Sequence, residues 1–369
     1  MNMTHYRPTR VEINLSALHK NLKQVKAFAP KSKILAIIKA NGYGHGLVRV
    51  ARKLAEADGF GVASIDEAIQ LRQNGFLHPI VLLEGIFSEQ ELSIVVHHRL
   101  EMVVHSFYQL EFLDTLVLTI KQSQLNLWLK IDTGMNRLGF KPTDIPEITK
   151  RIDDLNIRLN KKITVNWFSH FSSADSSIPF TQQQIALFNA TTKNLQGEKS
   201  LANSAAIKRF PESHLDWIRP GIMLYGAGLH KQLVPKTNPV MAFYSQIISL
   251  KWIDKNETVG YGNSWQAERK TLIAIVAVGY GDGYPRHAKN GTPVLIKGKK
   301  VPLVGRVSMD MISVDVTDIA DLVEIGVEVM LWGKGLPVDE VAESANTIGY
   351  ELLCGITERV PKIEVDDNG

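Results

Sequence analysis

Eight short apolar runs, separated by segments of helical periodicity, fill the first two thirds of the chain and constrain its fold more than any other feature. They are Ile34–Ile38, Phe60–Ala63, Ile80–Leu83, Met102–Val104, Leu125–Ile131, Thr164–Phe168, Leu201–Ala202 and Trp217–Ile218. Short, near-continuous apolar runs are what strands buried between helix layers require. The intervening patterns are helical. Leu15–Val25 is apolar at Leu15, Leu18, Leu22 and Val25 with Ser16 as its N-cap, and Thr181–Leu195 reads the same way. Eight such units predict a parallel (β/α)8 barrel of the TIM type.

After Pro239 the texture changes to strands joined by tight turns: Ala242–Trp252, Leu272–Val278, Val294–Ile296 with the Lys297-Gly298-Lys299 turn, Val301–Val304, Ile312–Val316 and Glu328–Leu331. The expected organisation is α/β: a barrel over residues 1–239 followed by a mainly β domain over 240–369, with the first residues able to pair with the β domain. A chain of 369 residues exceeds one ordinary domain, so two cores are expected. No Pro/Ser-rich linker divides them, which predicts firm packing and permits a shared site.

Composition narrows the function. The apolar share is 44%, the charged share 22% and the net charge +4. No Lys/Arg run is interleaved with aromatics, so nucleic acid is not an expected partner. Met1–Arg10 lacks an apolar h-region and the longest plain apolar run is Leu272–Val278, which predicts a cytoplasmic protein without membrane contact. The lone Cys354 forms no internal disulfide, and its apolar setting in ELLCGI predicts a buried thiol without a role. No metal site is expected.

The chemistry begins at Lys39 in KILAIIKANGYGHG, where the lysine closes an apolar strand and opens a Gly-rich loop. In a barrel that is the catalytic face, and partial desolvation there favours the neutral amine of a Schiff-base former or proton acceptor. The same position suits a lysine that merely reaches water. Further on, in WIRPGIMLYG, Arg219 follows the eighth strand and Gly221–Ile222 offer backbone N–H groups where barrels frequently bind phosphate. Ser204, after the seventh strand, adds a hydroxyl, or else serves as a helix N-cap. A lysine facing a phosphate cradle suggests pyridoxal 5'-phosphate.

Together with KANGYGHG, the segments LKIDTGMNRLGF, HFSSAD, NSAAIKRFP, DWIRPGIMLYG, VGYGNSW, VGYGDGYPR and GRVSMDM resemble alanine racemase, in order, across nearly the whole chain. The resemblance implies the following roles. Lys39 carries the cofactor and is one base. Tyr43, Ser204, Gly221 and Ile222 contact its phosphate. Arg219 faces the pyridine nitrogen; a guanidinium only donates, so that nitrogen stays unprotonated, the ring is a weaker electron sink, and proton return is favoured over side reactions. Tyr261 is the second base, since racemisation through a planar carbanion needs one on each face. A phenol is a poor base near neutrality, and His170 links Tyr261 towards Arg219.

In the family this tyrosine comes from the other subunit, which implies a homodimer with shared active sites. Tyr280, Met309 and Asp310 likewise match β-domain residues that close the partner's site. Arg137 matches the arginine near the substrate carboxylate, and Lys130 a lysine that is carbamylated in many members. Two departures stand out. Ser200 replaces a histidine that contacts the cofactor-facing arginine in some members, and Glu358 precedes Arg359-Val360-Pro361 where some place a phosphate-binding tyrosine. The implied activity is interconversion of L- and D-alanine, whether for peptidoglycan or for catabolism. A broader-specificity amino-acid racemase and a non-catalytic pyridoxal-phosphate protein are the alternatives; a related-barrel decarboxylase of basic amino acids shares the barrel and the lysine, but the Tyr261 motif argues against it.

Overall fold

The structure is a computed structural model that describes residues 6–115, 124–160, 163–228 and 238–366. Strand β1 (Arg10–Asn14) leads into the helix Leu15–Phe28. Eight parallel strands then close on themselves: β2 (Lys33–Ile37), β3 (Gly59–Val62), β4 (Ile80–Leu82), β5 (Glu101–Val104), β6 (Leu125–Lys130), β7 (Ile163–Phe168), β8 (Lys199–Asn203) and β9 (Trp217–Arg219). β9 returns to β2 through Lys33 opposite Trp217 and Ile34 opposite Ile218. All eight expected runs are barrel strands, including the two shortest. β3 and β4 are buried at every residue, as helix-covered parallel strands must be.

The helix caps differ from expectation. The Asn14 side chain, not that of Ser16, accepts from Ala17 N at 2.7 Å, because the helix begins at Leu15, two residues earlier than a Ser16 cap would start it; the Ser16 hydroxyl donates to Asp366 instead. The expected 181–195 helix spans Ile178–Thr192. Ser177 caps it, and Pro179 is tolerated in a first turn whose N–H groups have no helical partner.

The C-terminal strands are β10 (Met241–Ile253), β11 (Thr271–Val276), β12 (Pro293–Ile296), β13 (Lys299–Pro302), β14 (Ile312–Asp315), β15 (Glu328–Trp332) and β16 (Lys362–Val365). β10 is central: it pairs with β1, β11 and β15, all antiparallel. β1 also lies parallel to β16, so both ends of the described chain are woven into this sheet. Lys297 and Gly298, with φ of 48° and 76°, form the two-residue β12–β13 turn; Lys299 already belongs to β13.

Two separate cores are not what forms. One continuous buried cluster runs from Val11 through the barrel into Val329, Leu331 and Trp332, and only Ile253, Val259, Ala267, Ile273 and Val304 form a small second one. The barrel and β sheet therefore pack as a unit, with the C-terminal ends of the barrel strands at their junction.

Candidate active site

Lys39 follows β2 and is half-buried at the mouth of the barrel. The next five residues, Ala40 to Gly44, all have positive φ: 53°, 53°, 62°, 52° and 79°. Three of them bear side chains, and left-handed backbone costs an L-residue roughly 1–2 kcal/mol. Such strain persists only where surrounding contacts impose it. Here Asn41 Oδ1 accepts from Leu47 N at 2.8 Å, and Asn41 N donates to the Glu67 carboxylate at 3.1 Å. Buried His45 donates from Nδ1 to the Tyr43 carbonyl at 2.8 Å, and burial lowers its pKa to about 4, so it holds the turn as a neutral ring. A β-carbon on Gly44 would lie 2.2 Å from the Leu353 carbonyl, so the turn packs directly on the helix Gly349–Cys354.

The turn aims Tyr43 into a cavity of about 590 Å³. Lys39, Tyr43, Lys130, Arg137, His170, Ser204, Arg219, Gly221 and Ile222 all line it. At one end Tyr43 stacks on Tyr225 with ring centroids 4.6 Å apart, and burial pushes its hydroxyl far above the ordinary phenol range, so it remains a donor. Ser204 is not the helix cap considered from sequence. The Asn203 side chain caps Ala206 N at 3.1 Å, which leaves the Ser204 hydroxyl to accept from Gly221 N at 2.9 Å. A β-carbon on Gly221 would stand 2.6 Å from the Tyr43 oxygen. Hydroxyls, backbone N–H groups and a glycine-shaped space thus converge, as a phosphate group requires.

Arg219 is buried at the C-terminal end of β9. It donates to the Ser200 hydroxyl at 2.6 Å and to the carbonyls of Ser169 and Leu201 at 2.5 and 3.1 Å, and stacks 4.0 Å from the Phe168 ring centroid. The Ser200 hydroxyl therefore contacts this arginine directly. No carboxylate touches the guanidinium among the described residues, and burial alone lowers its pKa to about 9. His170 Nδ1 lies 3.4 Å from Arg219 Nη2; burial and then the Arg219 charge hold it neutral, well below the ordinary histidine range. Lys130 is lowered to about 8, first by burial and next by Arg137. Arg137 rides a loop that folds back on β6 through Phe140 N to Lys130 O at 2.8 Å, with Asp132 bracing Gly134 N and Asn136 N.

Four cationic side chains and one carboxylate, Glu84, line the cavity. That balance suits a ligand pair with several negative charges, such as a phosphate monoester and an amino-acid carboxylate. Three polar lining residues escaped the sequence reading as site members: Glu84, Tyr350 and Cys354. Tyr350 sits 6.0 Å from the Tyr43 ring and is pushed up to about 12 by burial; Cys354 is exposed to the cavity, not buried as expected. Their helix, GYELLC, carries an ordinary amphipathic pattern with no chemical signature. Glu358 is exposed and does not line the cavity. The β-domain candidates do not join Lys39 within one chain. Tyr261, Tyr280 and Met309 are 69%, 40% and 54% exposed, and neither they nor Asp310 line the cavity.

A closed parallel barrel with a lysine and a cationic cavity at its mouth, joined to a strand-rich region, is the architecture of a barrel enzyme with its site at the C-terminal ends of the strands. The alanine racemase N-terminal domain profile matches residues 13–228, and the C-terminal domain profile matches residues 240–364. The chain belongs to the alanine racemase family. It is 47% identical to the alanine racemase of Coxiella burnetii over 96% of this chain and 98% of that one, and 47% identical to that of Shewanella sediminis over 95% and 97%. It superposes on the crystal structure of the biosynthetic alanine racemase of Pseudomonas aeruginosa with a TM-score of 0.91 at 42% identity, covering 97% of this chain and 99% of that one. The alanine racemase structure from Acinetobacter baumannii gives 0.89 at 42% identity, over 97% and 100%. No helix among the described residues is long and apolar enough to cross a membrane.

Proposed function

We propose that this protein interconverts L- and D-alanine with pyridoxal 5'-phosphate as cofactor, Lys39 and Tyr261 acting as bases on opposite faces of the substrate. The observation that carries the reading is the meeting of Lys39 with the Tyr43–Ser204–Gly221 cradle and the donor-only Arg219 in one cavity.

The residues fit the cofactor. The glycine-shaped space beside the Tyr43 hydroxyl and the N–H groups of Gly221 and Ile222 suit its phosphate, and Arg219 suits its ring nitrogen. When bound, the cofactor supplies an electrophile for the substrate amine and a conjugated ring that acidifies the Cα–H bond. Lys39 Nζ removes or returns the α-proton on one face. On the other face the proton is moved by Tyr261 of the partner subunit, whose own exposure leaves it free to reach across. His170, neutral and receiving a hydrogen bond at Nδ1, keeps its Nε2–H to donate towards that phenol oxygen. Arg219 keeps a proton off the ring nitrogen because a guanidinium can only donate, so the nitrogen's lone pair must accept.

Arg137 binds the substrate carboxylate as a bidentate donor. Lys130, with its amine eased towards neutrality, is suited to take up carbon dioxide as a carbamate and so give Arg137 an anionic partner. Tyr280, Met309 and Asp310 close the partner's cavity and limit the side chain admitted. The functional unit is a cytoplasmic homodimer, with a barrel domain over residues 1–239 and a β domain over 240–369. Polarimetry of L-alanine with the cofactor-loaded protein tests the activity. Steady loss of rotation is expected for alanine; turnover of serine or basic amino acids at an equal rate, or no turnover at all, refutes it.

A further inference from the structure

Tyr280 and Met309 sit on separate loops, and a single buried carboxylate ties those loops together. Asp282 has no exposed side-chain surface. Its Oδ1 accepts from Arg359 Nε at 2.8 Å and Arg7 Nε at 3.3 Å; its Oδ2 accepts from Arg7 Nη2 and from Gly279 N, both at 2.9 Å. The same two guanidinia reach the neighbouring loop. Arg7 Nη2 donates to the Asp310 carbonyl at 2.7 Å, and Arg359 Nη2 to the Asp310 carboxylate at 2.8 Å.

Main-chain bonds lock the loops together: Tyr280 N donates to Ser308 O at 3.1 Å and Gly281 N to Met309 O at 2.8 Å. A β-carbon on Gly279 would fall 2.3 Å from Ser308 O and 2.4 Å from Met309 O, so nothing larger than glycine allows this approach. Gly283 braces the cluster on the other side, its absent β-carbon 2.3 Å from the carbonyl of Gly355, next to the helix that carries Tyr350 and Cys354. Arg7 and Arg359 come from opposite ends of the chain. A buried ion pair is weak evidence for stability, and its best-attested use is to specify one arrangement.

We infer that Asp282, with Arg7 and Arg359, is a positioning cluster that sets Tyr280 and Met309 in register and thereby shapes the substrate end of the partner's cavity. The inference rests on the reading that these two residues act across the dimer. Two hybrid dimers test it, each with one working Lys39 site. In the first, an unaltered chain pairs with one carrying Lys39→Ala and Arg359→Gln. In the second, an Arg359→Gln chain pairs with one carrying Lys39→Ala alone.

The first hybrid is expected to show KM for L-alanine raised about tenfold and the serine-to-alanine preference shifted about fivefold, with kcat within about threefold, the pattern of lost positioning. Arg359→Lys in its place recovers part of the KM. The second hybrid matches an unaltered chain paired with Lys39→Ala. An unchanged first hybrid, an effect confined to the second, or a fall in kcat that merely follows a lowered unfolding temperature overturns the inference. Tyr261→Phe in the same two arrangements tests the shared site separately. If its effect appears only in the first arrangement while Arg359→Gln changes neither, the cluster fails and the shared site stands. If it appears in the second, the shared site itself fails.

Discussion

Gly221 and Tyr43 approach so closely that a methyl group on the glycine would lie 2.6 Å from the tyrosine oxygen, well inside van der Waals contact. These residues come from opposite ends of the barrel sequence, the turns that follow β9 and β2, and they meet because the barrel closes between those strands. Gly221→Ala therefore displaces Tyr43 or closes the cradle. The expected result is cofactor affinity weakened by about tenfold or more with the unfolding temperature almost unchanged, since the fault lies in the cavity. Absorbance titration with pyridoxal 5'-phosphate measures it.

Ser200→Ala tests the buried arginine. It removes the 2.6 Å acceptor of Arg219 Nη1 and leaves a charged donor unsatisfied where no carboxylate among the described residues touches the guanidinium. A destabilisation of about 1–3 kcal/mol is expected in urea unfolding. Ser200→Thr keeps the hydroxyl and is expected to lose less than half as much. Equal losses for the two would mean that volume, not the hydrogen bond, matters here.

Lys130 carries a pH prediction. Its amine has a folded pKa of about 8, below the ordinary lysine value of 10.5. Between those values the unfolded chain binds more protons, so this group's contribution rises with pH through that window and its penalty is fully present below about 8. The neutral amine is also the form that adds carbon dioxide. Incorporation of 13C-bicarbonate, followed by the carbamate carbon resonance, should increase as pH passes about 8 and vanish in Lys130→Arg. A signal that persists in that variant assigns the carbamate elsewhere.

Legibility in the sequence followed the physics of each element. The barrel strands were readable because strands covered on both faces become short, unbroken apolar runs, and even Trp217–Ile218 kept that character. Helix starts were less readable: Asn14 and Ser16 are equally good caps in isolation, and the choice depends on where β1 stops. The Lys39 neighbourhood showed its glycines but not its left-handed turn, which is imposed by Asn41, Glu67 and His45 from three directions. Tyr350 and Cys354 were missed because only the packing of their helix against that turn brings them to the cavity. The single core was hidden for a related reason: β1 and β16 stitch the chain's two ends into one sheet, a long-range pairing without a local signature.

The central claim is that a catalytic site takes Lys39 from one chain and Tyr261 from another, and mixing two inactive variants tests it most directly. Lys39→Ala and Tyr261→Phe are each expected to lose nearly all racemisation, because each leaves one face of the substrate without its base. Unfolding and refolding them together in equal amounts makes about half the dimers hybrid, each with one complete site, so activity should return to about one quarter of wild type per chain. Failure of the mixture to recover any activity, while wild type treated identically recovers fully, would contradict the shared two-base site.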